Sequence, residues 1–109
     1  MAEFYGDVEC YKMENGVLVP TLDTHYATYG IFIRKGQKKP FVFDLEKEPE
    51  SMYNFMIDMI NREGKRGHQA TFWFFNSNYD MTAVLRGNYH NDNVKYINHK
   101  PLIIEIKTE

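Results

Sequence analysis

Residues 70–80 read ATFWFFNSNYD, and two kinds of segment meet within them. The run Ala70–Phe75 is almost continuously apolar and aromatic, which is typical of a central strand covered on both faces. The polar segment that follows ends in Asp80, so a carboxylate is delivered just beyond the end of a strand. Residues 79–86 then predict a short helix that ends at Gly87.

A second carboxylate motif lies near the start of the chain. Phe4–Tyr11 has the character of a first strand, and it contains Asp7-Val8-Glu9. Side chains alternate along a strand, so Asp7 and Glu9 share one face, while Cys10 lies on the other as a buried, inert thiol. If Asp80 converges on the pair, the three carboxylates need a divalent cation to stay ionised. The two motifs therefore predict metal-dependent phosphodiester chemistry.

The remaining segments predict further strands and one longer helix. His25–Arg34 and Pro40–Leu45 read as strands two and three, joined by a polar turn into an antiparallel hairpin. The segment 17–24 contains Pro20 and is expected to be irregular. A helix is expected to start with Pro49 in its first position and to stop near Gly64. Its apolar stripe has helical spacing and comprises Met52, Phe55, Met56, Met59 and Ile60.

Val94–Ile97 and Leu102–Ile106 complete the predicted order β-β-β-α-β-α-β-β. The helix before strand four is a crossover, so strand four should run parallel to its neighbour. We therefore expect an α/β protein with a mixed sheet on which the helices pack. The order is similar to that of the ribonuclease H-like fold, which places catalytic carboxylates on strand one and just after strand four.

Composition limits the class of protein. The chain has 109 residues, 43% of them hydrophobic and 16% aromatic, which suits a single domain (1–109) with one core. The net charge of −2 argues against a basic, tail-type nucleic-acid binder. There is no signal-peptide pattern and no apolar run of about 20 residues, so we expect no membrane contact. The expected location is the cytoplasm, or the host cytoplasm if the protein is viral.

The two motifs together resemble a known family. Asp7-Val8-Glu9 resembles the first motif, Asp-x-Glu, of the DEDD 3′–5′ exonucleases. The segment 76–80 resembles their second motif in the form found in family B DNA polymerases, Asn-x-x-(Phe/Tyr)-Asp. The greatest similarity is to the N-terminal proofreading domain of protein-primed polymerases of viruses and plasmids. It spans nearly the whole chain in order and spacing.

The resemblance implies roles for the matched residues. Asp7, Glu9 and Asp80 would bind two Mg²⁺ or Mn²⁺ ions that serve hydrolysis. Asn76 and Tyr79 would contact the terminal nucleotides of single-stranded DNA. Each residue also has a plainer interpretation. The Asp7–Glu9 pair could simply face solvent, Asp80 could complement a helix dipole, Asn76 could cap the helix, and Tyr79 could be a core aromatic.

The sequence departs from the family pattern at two points. Phe75 stands where the family usually has His, and the third motif, Tyr-x-x-x-Asp, is absent. In the family that motif lies on a later helix, so the chain is either an exonuclease fragment truncated at its C-terminus or a small protein that keeps the fold. The first hypothesis is accordingly an exonuclease-like domain with an incomplete catalytic set. The alternative is a non-catalytic, exonuclease-derived viral or mobile-element module that binds nucleic acid or a host protein. Besides single-stranded DNA, the expected partners are a host protein or a downstream polymerase region.

Overall fold

The computed structural model describes residues 2–75, 77–85, 94–99 and 102–106, the last two ranges by their backbone. The two helices are α1 (Ser51–Lys65) and α2 (Ser77–Leu85), and a short 3₁₀ turn covers Thr24–Tyr26. The strands are β1 (Ala2–Glu14), β2 (Val17–Pro20), β3 (Ala27–Arg34), β4 (Phe41–Asp44), β5 (Ala70–Phe74), β6 (Val94–His99) and β7 (Leu102–Ile106). The protein is therefore α/β, as predicted.

Five of the strands form one mixed sheet around β1. The first half of β1 pairs antiparallel with β3 on one side and parallel with β5 on the other. β3 in turn pairs antiparallel with β4, so the strands lie in the order β4-β3-β1-β5. The predicted hairpin and the predicted parallel pairing after the crossover helix are both confirmed. β6 and β7 pair with each other in a separate two-stranded sheet.

The segment 17–24, expected to be irregular, instead begins with a strand. β2 folds back on the far half of β1, with Glu14 opposite Val17. The connecting residues Asn15 and Gly16 have φ values of 49° and 79°, the left-handed conformation that two-residue hairpin turns require. Pro20 is accommodated because it is the last residue of a strand at the sheet edge. The order of elements is thus β-β-β-β-α-β-α-β-β, one strand more than predicted.

The long helix differs from its predicted bounds at both ends. α1 begins at Ser51 rather than Pro49, and it continues through Gly64 to Lys65. Gly67, rather than Gly64, has the positive φ of 72° in the turn that follows the helix. The predicted apolar stripe faces the sheet: Met52 and Met56 are buried, and the Phe55 ring packs against the rings of Phe4 and Phe32.

Both helices contribute to a hydrophobic core on one face of the sheet. β1 supplies Phe4, Val8 and Cys10 to it, and α2 supplies a set of buried residues that comprises Met81, Ala83, Val84 and Leu85. The burial predicted for Cys10 is confirmed. No helix of the described chain is long and apolar enough to cross a membrane.

The other face of the sheet, which we call the outer face, is exposed. β5 was expected to be covered on both faces, but Trp73 is 53% exposed, so this expectation is wrong. Its neighbour across the β1–β5 pair, Tyr5, is 48% exposed. A continuous apolar run cannot reveal this difference, because the covered and uncovered faces of β5 are both aromatic.

Candidate carboxylate site

Asp7 and Glu9 lie side by side on the outer face in the middle of the sheet. Burial alternates along β1, so Val8 and Cys10 enter the core while the two carboxylates are exposed. Across the β1–β3 pair, Asp7 is opposite Ile31 and Glu9 is opposite Tyr29. The predicted sharing of one face is therefore confirmed.

The two carboxylates influence each other electrostatically. The pKa of Glu9 is raised above the ordinary value of 4.5, first by partial burial and then by the negative charge of Asp7. A hydrogen bond with Asp7 adds to the shift, because it favours the protonated form of Glu9. The raised pKa of Glu9 means that its ionised form, next to Asp7, gains from a bound cation.

α2 brings the second motif to the same end of the sheet. The Tyr79 hydroxyl donates to the carbonyl oxygen of Thr21 at 2.8 Å, which ties α2 to the segment after β2. Burial is the main cause that raises the pKa of Tyr79, followed by interactions with Cys10, and then by the charges of Asp80 and Glu9. Tyr79 thus lies within electrostatic range of carboxylates from both motifs.

Asp80 occupies a different environment from the other two carboxylates. It lies in the first turn of α2, and its side chain is only 2% exposed. Within residues 2–75 and 77–85, no group of three or more His, Cys, Asp or Glu side chains is arranged to hold a metal ion. The structure therefore brings Asp7 and Glu9 together without adding Asp80 to a common cluster. Asn76 lies outside the described residues.

The residues present fit one hard divalent cation better than two. Mg²⁺ is commonly held by one or two carboxylates together with substrate phosphates, rather than by a complete protein cage. Asp7 and Glu9 provide such a pair, exposed and adjacent. The two-ion arrangement implied by the family requires Asp80 to reach the pair as well, and that remains a prediction.

A cavity that was not predicted from the sequence lies close to this pair. It has a volume of about 270 Å³ and lies where the end of the β1–β3 pairing meets the loop between β4 and α1. Its lining includes Tyr11, His25, Tyr26 and Glu46. The sequence contains one signal for this cavity, the carboxylate of Asp23 two residues before the imidazole of His25. A search for metal-ligand spacing does not detect this pair.

Comparisons with known proteins give no relative. No protein-family model, no curated protein and no solved structure matches the chain.

Proposed function

We propose that this protein is an exonuclease-like domain that binds the 3′ end of single-stranded DNA and hydrolyses it from 3′ to 5′ with Mg²⁺ or Mn²⁺. The observation that carries the proposal is the exposed Asp7–Glu9 pair at the centre of the sheet, with the raised pKa of Glu9. Paired acidic oxygens that repel each other are a suitable place for a cation and for the phosphate that accompanies it.

The sheet supports a ribonuclease H-like interpretation of the fold. In the order β4-β3-β1-β5, an antiparallel meander leads through α1 to a strand parallel to β1. The first motif then lies on β1, and the second follows β5 at the start of α2. The β1–β2 hairpin extends this arrangement without disturbing the order of the four strands.

Each matched residue receives a role within the proposal. Asp7 and Glu9 would hold the cation, which when bound would polarise a phosphodiester and activate water. Tyr79 is already anchored through Thr21, so it would support the DNA end with its ring rather than with its hydroxyl. Asp80 would complete the ligand set if α2 moves it toward the pair, and Asn76 would contact the terminal nucleotide.

A second candidate is binding of single-stranded nucleic acid or a protein without cleavage. The burial of Asp80 favours it, as does the lack, among the described residues, of a group of three or more His, Cys, Asp or Glu side chains that could hold a metal ion. Loss of one ligand from a two-metal site removes the clamp on the attacking and leaving oxygens, and this lowers turnover far more than substrate binding.

The deciding experiment follows 5′-labelled single-stranded DNA in the presence of Mn²⁺. Wild-type protein is compared with an Asp7→Ala/Glu9→Ala variant and with Asp58→Asn, a control that removes an exposed carboxylate on α1. Shortening from the 3′ end that persists in Asp58→Asn and disappears in the double variant supports the exonuclease. Circular dichroism and unfolding curves establish that the double variant is folded.

The same samples separate the second candidate. Cation-dependent DNA binding without shortening, lost in the double variant, indicates a non-catalytic nucleic-acid module. Absence of both cleavage and DNA binding contradicts the proposal and favours a protein partner.

A further inference from the structure

The cavity beside the carboxylate pair combines two aromatic rings with hydrogen-bond acceptors. Tyr11 and Tyr26 contribute rings, Leu45 and Pro49 contribute apolar surface, and Glu46 contributes a carboxylate. The volume of about 270 Å³ is just below the range of roughly 300–1,000 Å³ found for drug-sized ligands. The cavity therefore suits one small ring system rather than an extended molecule.

The exposed imidazole of His25 contacts Asp23 through one of its ring nitrogens. Its Nδ1 atom lies 2.8 Å from the Asp23 carboxylate, which also accepts the backbone N–H of His25 at 3.0 Å. In the neutral ring Nδ1 donates to Asp23, so Nε2 is left as an acceptor. Hydrogen bonds from the backbone and the ring of His25 lower the pKa of Asp23, so the Asp23 carboxylate stays ionised and continues to accept them.

The backbone around Glu46 is also held in place. The Asp44 carboxylate accepts the backbone N–H groups of Glu46 and Lys47 at 3.1 and 3.2 Å. The side-chain acceptors in the cavity lining are thus the Glu46 carboxylate and, in the neutral ring, the Nε2 atom of His25. Both accept hydrogen bonds from an amino group, whereas a carbonyl oxygen would depend on the hydroxyl groups of Tyr11, Tyr26 and Thr28 as donors.

The cavity adjoins the Asp7–Glu9 pair along the same strand. Tyr11 is two residues beyond Glu9, a separation of roughly 7 Å along a strand. Thr28, which also lines the cavity, donates its hydroxyl to the backbone oxygen of Glu9 at 3.4 Å. A strand whose phosphate lies at the carboxylate pair would therefore have a base within reach of the cavity.

We propose that this cavity binds one unpaired nucleobase of the single strand and prefers an amino-bearing base, such as cytosine, to thymine. The inference rests on the proposed function, because it takes single-stranded DNA at the Asp7–Glu9 pair as the ligand. Aromatic rings stack on any base, whereas acceptors such as Glu46 accept from the exocyclic amino group that thymine lacks.

The test compares the affinities of short labelled oligo-dC and oligo-dT in the presence of Ca²⁺ by fluorescence anisotropy. We expect wild-type protein to bind oligo-dC about tenfold more tightly, as for a base contact of ordinary strength. Glu46→Gln should reduce the ratio toward one. Glu48→Gln removes the same charge two residues away, outside the cavity lining, and should leave the ratio unchanged.

A second measurement does not depend on the carboxylate pair. Addition of dCMP should shift the imidazole resonances of His25, while those of His68, at the distant end of α1, stay in place. Equal binding of the two oligonucleotides, equal effects of Glu46→Gln and Glu48→Gln, or an unmoved His25 signal would overturn the inference.

The two proposals fail in different ways. If the Asp7→Ala/Glu9→Ala variant loses cation-dependent DNA binding but the base preference is absent, only the cavity assignment is wrong. If that variant binds DNA as the wild type does, the proposed function is wrong, and the inference that depends on it falls as well.

Discussion

Gly6 shows how a single residue positions the carboxylate pair. A Cβ atom at this position would lie 2.5 Å from the Phe74 ring and 2.6 Å from the Phe32 ring, so only glycine fits between them. These rings belong to the strands on both sides of β1. Packing therefore requires glycine immediately before Asp7. The close approach of the two rings to Gly6 fixes the place of Asp7 in the sheet.

Gly6→Ala should accordingly destabilise the protein. Overpacking of a filled core costs about 1–3 kcal/mol, and neither ring is the flexible end of a long side chain. Gly64→Ala is the matched control, because a Cβ there meets nothing within 4 Å and alanine favours the helix by about 0.5–1 kcal/mol. Urea unfolding should give opposite signs for the two variants, and equal free energies of unfolding would contradict the packing described.

Glu9 should make stability depend on pH. Its folded pKa is raised, so its contribution is favourable below the ordinary value of 4.5 and is lost as pH rises through the folded pKa. Glu9→Gln does not titrate, so its advantage over the wild type should grow through that window and persist at neutral pH. The effect is modest because water screens exposed charges.

Unfolding curves of the two proteins across the acidic range provide the measurement. Asp7→Asn serves as the comparison, because it removes the repelling charge and should return the pKa of Glu9 toward its ordinary value. Parallel stability profiles for wild type and Glu9→Gln at every pH would refute this account.

At the scale of elements, one hydrogen bond links α2 to the segment that follows β2. Tyr79 in the first turn of α2 donates to the Thr21 carbonyl, 58 residues earlier in the chain. The β1–β2 hairpin is otherwise exposed, with Met13, Val17 and Leu18 all more than half accessible. The Tyr79–Thr21 contact thus holds the end of β2 against α2, the helix that carries Asp80.

Tyr79→Phe tests this link. Loss of the hydroxyl should lower the free energy of unfolding by about 1 kcal/mol, since a partly buried carbonyl also loses its donor. Tyr29→Phe, an exposed tyrosine on the outer face, should change stability by less than about 0.5 kcal/mol. Amide exchange near Thr21 should accelerate only in Tyr79→Phe, and unchanged exchange would show that the link is not structural.

At the scale of the whole molecule, the core covers one face of the sheet, and the carboxylates of Asp7 and Glu9 lie on the other face. Both helices contribute buried residues to the single core cluster, and the outer face combines Asp7 and Glu9 with the exposed rings of Tyr5 and Trp73. The negative charges of Asp7 and Glu9 on this open surface attract cations. A cation that binds only the folded protein should raise its free energy of unfolding.

Divalent cations should therefore raise the melting temperature. A cation at tenfold its Kd adds about 1.4 kcal/mol to the free energy of unfolding, which corresponds to a shift of several degrees for a domain of this size. Asp7→Asn and Glu9→Gln should lose most of the shift with Mn²⁺, whereas Asp58→Asn should keep it. A shift shared equally by all four proteins would place cation binding elsewhere.

The sequence by itself determined most of the elements and the shared face of Asp7 and Glu9. Alternation along a strand and helical spacing in residues 52–60 are local rules, so they could be applied without knowing the neighbours. The strand formed by residues 17–20 was missed because its pairing with β1 outweighs an irregular composition.

Only the tertiary structure decided which faces are covered and which side chains meet. The run 70–75 looks equally apolar on both faces, yet Trp73 is exposed because the core lies on the opposite side of the sheet. The burial of Asp80 and the meeting of Tyr11, His25 and Glu46 around one cavity depend on segments far apart in the chain. Such contacts arise from packing of whole elements, which no local pattern records.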